Sequence, residues 1–281
     1  MDVGIGLPNT VPGTTGNELV EWARRAEARG FSSLGTIDRI VYDNYEPLLA
    51  LAAAAAVTER IGLLTSVLLG PLRTNAAELA KQARTLNAIS GGRFTLGIAL
   101  GAREDDYAIS GVDYASRGRL FDAELARMQE VWDDEKVGPA AADPPRLIVG
   151  GHADASFARA ARVGAGWVAG GATPEEFSQM AAKLKAAWSQ AGREGEPRKM
   201  GLAYFGLGPN GEAEAREELT GYYGWLGEEI SGYIASSAAT DPETVKGYIA
   251  AFEGAGCDEL ILFPTSSDPA QVDLLADAAG L

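Results

Sequence analysis

A chain of 281 residues that is 46% hydrophobic can bury a sizeable core, and its length suits one (β/α) barrel of about 250 residues as well as two smaller domains. Lys and Arg total 24 against 39 Asp and Glu, a formal charge of -15 that disfavours nucleic acid and anionic membrane surfaces as partners. One cysteine, Cys257, excludes an intramolecular disulfide, and the longest apolar run, Leu48 to Val57, falls short of the about 20 residues that cross a bilayer.

Val3 to Leu7 reads as a first strand ending at Pro8-Asn9. A Gly/Thr/Pro loop leads to a helix from Glu18 to Arg29 with Leu19, Trp22, Ala23 and Ala26 on one face, and Gly30 ends it. Ser33 to Ile37 is the second strand, with Asp38-Arg39 at its carboxyl end, and Tyr45 to Thr58 is the second helix. Ile61 to Leu69 is an apolar run suited to a third strand. Asn75 to Ile89 then sets Ala76, Leu79, Ala80, Ala83, Leu86 and Ile89 at helical spacing. Ser90-Gly91-Gly92 stops that helix, and Phe94 to Leu100 begins a fourth strand. Strands this apolar must be covered on both faces, so a parallel pair with a crossover helix follows.

A long acidic loop, Ala102 to Ser116, precedes a helix from Arg117 to Trp132, and Asp133 to Pro145 reads as an exposed linker. Strand five, Arg146 to Val149, runs into Gly150-Gly151, with Ala155 to Val163 helical behind it. Trp167 to Ala169 is strand six, Pro174 to Ala191 a helix, and Met200 to Leu207 strand seven. Glu212 to Ala238 reads as helix in two pieces broken near Gly227. Pro242 to Gly254 is a further helix, Leu260 to Phe263 strand eight, and Pro269 to Ala279 closes the chain. The turns AEARGFSSL, AARVGAGWV, AFEGAGCDEL and LNAISGGRFTL each pass from an Ala-rich helix through glycine into a strand. That repeat predicts a single (β/α)8 TIM barrel domain over residues 1–281; a doubly wound sheet would carry GxGxxG after its first strand, and this chain does not.

In such a barrel the chemistry sits where strands meet the following helices. The single histidine, His152, cannot build a His-based triad or a multi-histidine zinc site, so no metal is expected. None of the six lysines falls at a strand end suited to Schiff-base chemistry. An organic cofactor is left to carry the hard chemistry. Gly150-Gly151-His152 before a helix start at Asp154-Ala155-Ser156 reads either as a phosphate cradle or as a tight βα turn. Arg103 follows Gly101-Ala102 at the barrel mouth as a cofactor or substrate contact, while Asp105 and Asp106 read as a solvated charge run. Tyr42, Tyr45, Arg73 and Tyr204 are further candidates for the pocket wall, and Cys257 reads as a buried structural thiol.

The run TSVLL, the helix after it, SGGRFTLGIALG and REDDY, with GIGLP, LIVGG and GAGW elsewhere, resemble the luciferase-like superfamily of flavin- and deazaflavin-dependent oxidoreductases. The resemblance implies a luciferase-like barrel whose cofactor, FMN or the deazaflavin coenzyme F420, has its phosphate held by the segment of Gly151, His152 and Ala155. It implies a non-prolyl cis peptide at Ser66-Val67, in the stretch Thr65-Ser66-Val67 behind the ring. Where the family commonly has a histidine after an acidic residue, this chain has Asp38-Arg39, and an arginine cannot shuttle protons. Arg39 then either orients an anionic substrate or the reduced flavin, or is a buried partner of Asp38. The GDGW motif of the family appears as Gly164-Ala165-Gly166-Trp167, without its acid, so Trp167 reads as core packing. The implied activity is monooxygenation with reduced FMN or hydride transfer with reduced deazaflavin on a small organic substrate. The implied setting is a cytoplasmic homodimer, with a separate flavin reductase as a further partner. A non-catalytic flavin-binding barrel, and a lyase or isomerase acting on a sugar phosphate, are the competing readings.

Overall fold

The computed structural model describes residues 1–140 and 142–281, so position 141 of the expected linker lies outside the described residues. Its sheet is wholly parallel. The strands are β1 (Asp2–Gly6), β2 (Ser33–Thr36), β3 (Gly62–Thr65), β4 (Leu68–Leu69), β5 (Phe94–Ala99), β6 (Arg146–Gly150), β7 (Gly166–Val168), β8 (Arg198–Phe205) and β9 (Glu259–Pro264). Their order is β3-β2-β1-β9-β8-β7-β6-β5, and β3 also pairs with β5, which closes an eight-membered ring. The ninth strand is a continuation: β4 resumes the third barrel strand and pairs with β5 through Leu68 to Ile98 and Leu69 to Ala99. The expected (β/α)8 barrel is therefore present.

The helices are α1 (Gly16–Arg29), α2 (Pro47–Ala55), α3 (Ala76–Ile89), α4 (Glu104–Ile109), α5 (Arg117–Asp133), α6 (Asp154–Val163), α7 (Pro174–Gln190), α8 (Gly211–Tyr223), α9 (Glu228–Ser236), α10 (Pro242–Gly254) and α11 (Ala270–Ala279). Local chemistry sets their starts. Thr15 with Glu18, and Thr173 with Glu176, form reciprocal capping boxes, and proline opens α2, α7 and α10. The main core lies between barrel and helices, where Trp22, Leu34, Phe94, Phe121, Phe157 and Trp167 are buried. A second cluster fills the barrel itself with Leu64, Ile148, Val168, Met200, Leu202, Ile261 and Phe263. Cys257 is buried, and burial pushes its thiol up to about 12, as suits a structural cysteine.

Three expectations need correction. The third strand is not continuous, because the chain breaks at Ser66-Val67 between β3 and β4. The acidic stretch after β5 is not a loop throughout. Glu104, Asp105 and Asp106 occupy the first turn of α4, where carboxylates favour the amino-terminal end of a helix, and a short 3-10 turn at Tyr114–Ser116 follows. Helix α2 starts at Pro47 rather than Tyr45, since proline fixes the first turn. The interruption expected near Gly227 is found there, with a 3-10 turn (Gly224–Leu226) and Gly227 at φ 90° separating α8 from α9.

Candidate functional site

Strands β2, β3, β5 and β6 are consecutive neighbours in the ring, so their carboxyl ends gather most of the candidate residues on one side of the mouth. Asp38 and Arg39 follow β2, Ser66 and Val67 follow β3, Gly101 follows β5, and Gly150 ends β6. The Ser66-Val67 peptide is cis. Thr65 is fully buried, and its hydroxyl donates to the Gly97 carbonyl at 2.7 Å. Val67 lies across from Gly150, where an added Cβ would stand 2.9 Å from Val67 Cγ1. Gly101 sits at φ 74° beside Leu69. Buried polar atoms without a partner collect here: Thr36 Oγ1, Asp38 Oδ1, Arg39 Nη1 and Ser66 Oγ. Such groups cost about 1–3 kcal/mol each unless something meets them. Ile37, Val67 and Tyr204, which pack against the interior cluster, stay only half-buried.

Of the two readings of Arg39, the one that made it a buried partner of Asp38 is not what forms. Asp38 Oδ2 accepts from the Leu69 amide at 2.9 Å and from Arg73 Nη2 at 2.8 Å, and Arg73 also reaches Glu46 at 3.3 Å. Burial, offset in part by Arg73, holds the Asp38 carboxyl above the usual carboxylate range. Arg39 Nε instead donates to Asp106 Oδ2 at 2.7 Å, with side chains 4% and 1% exposed. The other oxygen of Asp106 accepts from the Ile40 and Val41 amides at 2.9 and 2.7 Å. Asp106 is thus no solvated charge; it anchors the loop after β2. The guanidinium of Arg39 also lies 5.5 Å from the ring centres of both Tyr42 and Tyr222. Arg103 is forked onto Asp105 and lies 5.2 Å over the Trp225 ring.

Beyond β6 the backbone turns into α6. Gly151 has φ 125°, and a Cβ there would come 2.5 Å from Ser156 Oγ, so only glycine fits. Ala153 has no side chain with which to cap the first amides of α6, and His152 and Ala155 are exposed. Asp154 is paired with Lys183 at 3.2 Å. Trp167 does pack in the core, between Phe157 and Phe177 at ring separations of 5.5 and 5.4 Å. Its indole N–H also donates to the Gly151 carbonyl at 2.7 Å, a role that the sequence reading missed. Trp167→Phe leaves that carbonyl unmet and also removes one ring of a fully buried side chain. It is expected to cost about 1–2 kcal/mol in urea unfolding, and a loss under about 0.3 kcal/mol would refute the bond.

A segment between β8 and α10 bends over the other side of the mouth. Tyr223 shares a hydroxyl contact of 2.6 Å with Tyr204, and Tyr222 meets Tyr42 edge-on at 5.0 Å. Glu218 of α8 approaches the Tyr42 hydroxyl at 3.5 Å, and burial pushes its carboxyl up to about 7. Tyr45, also expected at the wall, is spent on donating to the Thr14 carbonyl at 2.8 Å. Sequence spacing could have found Glu218, because it stands three residues after Ala215 and four before Tyr222, both buried. Among the described residues no group of His, Cys, Asp and Glu suits a metal ion, and no helix is long and apolar enough to cross a membrane.

A profile of the luciferase-like monooxygenase family matches residues 1–272. An uncharacterised protein of Mycobacterium tuberculosis is 33% identical over 207 residues, which span 61% of this chain and 71% of that protein. An F420-dependent secondary alcohol dehydrogenase, solved with an F420-acetone adduct, superposes with a TM-score of 0.82 at 18% identity, covering 99% of this chain and 98% of its own. The oxygenating constituent of 3,6-diketocamphane monooxygenase from Pseudomonas putida, solved with FMN, does so with a TM-score of 0.73 at 19% identity, covering 98% and 96%.

Proposed function

The chain belongs to the luciferase-like monooxygenase family, and on that premise we propose that it is an oxidoreductase working with FMN or with the deazaflavin coenzyme F420 at the carboxyl mouth of its barrel. The observation that carries the reading is the pairing of two features on the same side of the mouth, with only β5 between their strands. One is the glycine turn after β6, which has no space for a side chain; the other is the set of unpartnered buried polar atoms after β2 and β3. Both fit a cofactor with an anionic tail and a flat polar ring. Gly150, Gly151, the His152 amide and Ala155 would hold the phosphate, with Trp167 fixing the Gly151 carbonyl out of the way. Thr65, Ser66 and Val67 would meet the ring.

When bound, such a cofactor supplies two electrons, as hydride from a deazaflavin or to molecular oxygen from reduced FMN. The chain's own part is to bind, orient and exclude water. Asp38 is held by Leu69 and Arg73, and Arg39 by Asp106, so both stand rigidly at the mouth, and neither arginine can move a proton at neutral pH. The committed state of Arg39 also supports a second reading, a barrel that binds flavin without catalysis.

Titrating the apoprotein with FMN and with F420, followed by quenching of cofactor fluorescence, tests the reading. One of the two is expected to bind with Kd below about 100 µM, that is, more tightly than about −5.5 kcal/mol. Gly151→Ala, which places a Cβ against Ser156, is expected to weaken that cofactor at least tenfold. Failure of both cofactors to bind sinks the proposal. Firm binding without cofactor-dependent oxygen uptake or hydride transfer over a substrate panel favours the second reading.

A further inference from the structure

The segment over the mouth has a composition that suggests what it is for. Tyr42, Tyr204 and Tyr223 are half-buried and Trp225 is exposed, so four aromatic rings show surface beside the opening. The charges among them are already matched, Arg39 by Asp106 and Arg103 by Asp105. Among these described residues, Arg39 and Arg103 already hold an anion each, and Asp105 and Asp106 already hold a cation each, which favours a guest without charge. One acidic group is not spent. The Glu218 carboxyl has, among the described residues, only its long 3.5 Å contact with the Tyr42 hydroxyl. A contact of that length is typical of a pair that tightens when a guest arrives.

We propose that the mouth takes a neutral aromatic substrate bearing a hydroxyl group beneath α8, and that Glu218 accepts the proton of that hydroxyl through the Tyr42 hydroxyl. The proposal rests on the oxidoreductase reading, since the substrate would face the cofactor across the mouth. In the transfer the substrate O–H bond breaks as an O–H bond forms on Tyr42. The former Tyr42 proton passes to a Glu218 oxygen, and no electrons leave the pair. Tyr42 touches the substrate and Glu218 acts through it. Of the groups around Glu218, Tyr42 comes from the loop after β2; Asp43 and Arg39 lie beside that tyrosine, and Asp106 is bonded to Arg39. Tyr204 comes from β8, and Glu217 and Tyr222 from its own helix. Helix α9, packed on α8, turns Ser231 and Ala235 inward, while its two carboxylates, Glu228 and Glu229, are exposed. Burial of Glu218, pushing its carboxyl up to about 7, makes it able to take or give a proton near neutrality.

The test uses 2-naphthol, which stays neutral between pH 6 and 8, with naphthalene as the control lacking a hydroxyl. Binding is read by ligand fluorescence on the apoprotein and again with saturating FMN or F420. Alongside it, the Glu218 carboxyl is titrated by 13C NMR, assigned by its absence in Glu218→Gln. Wild type is expected to bind 2-naphthol about tenfold more tightly at pH 8 than at pH 6. Both Glu218→Gln and Tyr42→Phe should abolish that dependence, and naphthalene should show none. A carboxyl midpoint below about 5.5, pH-independent naphthol binding in wild type, equal binding of naphthalene, or no binding of either compound overturns the proposal. Should Glu218→Gln not fold, Tyr42→Phe and the wild-type pH dependence decide alone. Cofactor titration is read separately, so a protein that binds naphthol as expected but neither cofactor refutes the oxidoreductase reading and spares the proton acceptor.

Discussion

Arg39→Met is expected to lower stability by about 3–5 kcal/mol in urea unfolding at pH 7, the usual loss when one partner of a buried ion pair is removed. Asp106 would keep its bonds from the Ile40 and Val41 amides, yet its charge, on a side chain 1% exposed, would lose the guanidinium bonded to it. The tyrosine rings that flank the guanidinium would lose their packing partner as well. The double variant Arg39→Met with Asp106→Asn removes the stranded charge and keeps an acceptor for the two amides, so it should recover most of the loss. A single-variant loss below about 1 kcal/mol, or a double variant no better than the single, would show that the pair does not hold the loop.

Glu124→Gln should act in the other direction. Glu124 lies on α5, 7% exposed, and neither carboxylate oxygen has a partner; burial pushes its carboxyl up to about 8 from the ordinary 4.5. Below pH 4.5 the group is protonated folded or unfolded, and above pH 8 it is ionised in both states. Between those limits the folded protein keeps a proton that the unfolded chain has released, so stability declines by up to about 1.4 kcal/mol per pH unit as pH rises. Glutamine has the size of the neutral acid and no proton to lose. At pH 7 the variant should be more stable by about 3 kcal/mol, with the advantage vanishing near pH 4. Chemical unfolding of both proteins from pH 4 to 8 checks this, and parallel stability profiles would refute it.

These two positions mark where the chain could and could not be read in advance. Helical spacing and glycine-ended turns were legible because they are local, and they led to the eight-membered ring. The bend at Ser66-Val67 was expected through family resemblance alone, since neither residue type announces it. Glu124 stands three residues after Phe121 and four before Met128, on the buried stripe of α5, so periodicity held a usable signal for it. The partnership of Arg39 with Asp106 held none. The two lie 67 positions apart, and the same acidic run offered Asp105, which bonds to Arg103 and approaches Arg39 only to 3.7 Å. Pairings of that kind depend on which loops the closed ring brings together, and Asp38 shows it again by choosing Arg73 over its own neighbour.

The segment that bends over the mouth has its own small cluster of Ala215, Leu219, Ala235 and Ala238, separate from the core beneath it. Its ties to the barrel include aromatic contacts (Tyr223 to Tyr204, Tyr222 to Tyr42 and Arg39, Trp225 to Arg103), the Glu218 contact with Tyr42, and backbone bonds of Ala239 at the end of β8. A piece so built is modular. It could be exchanged for a counterpart of different length or lining while the scaffold kept its folding energy, so selection could retune what enters this protein without first having to rebuild what holds it together.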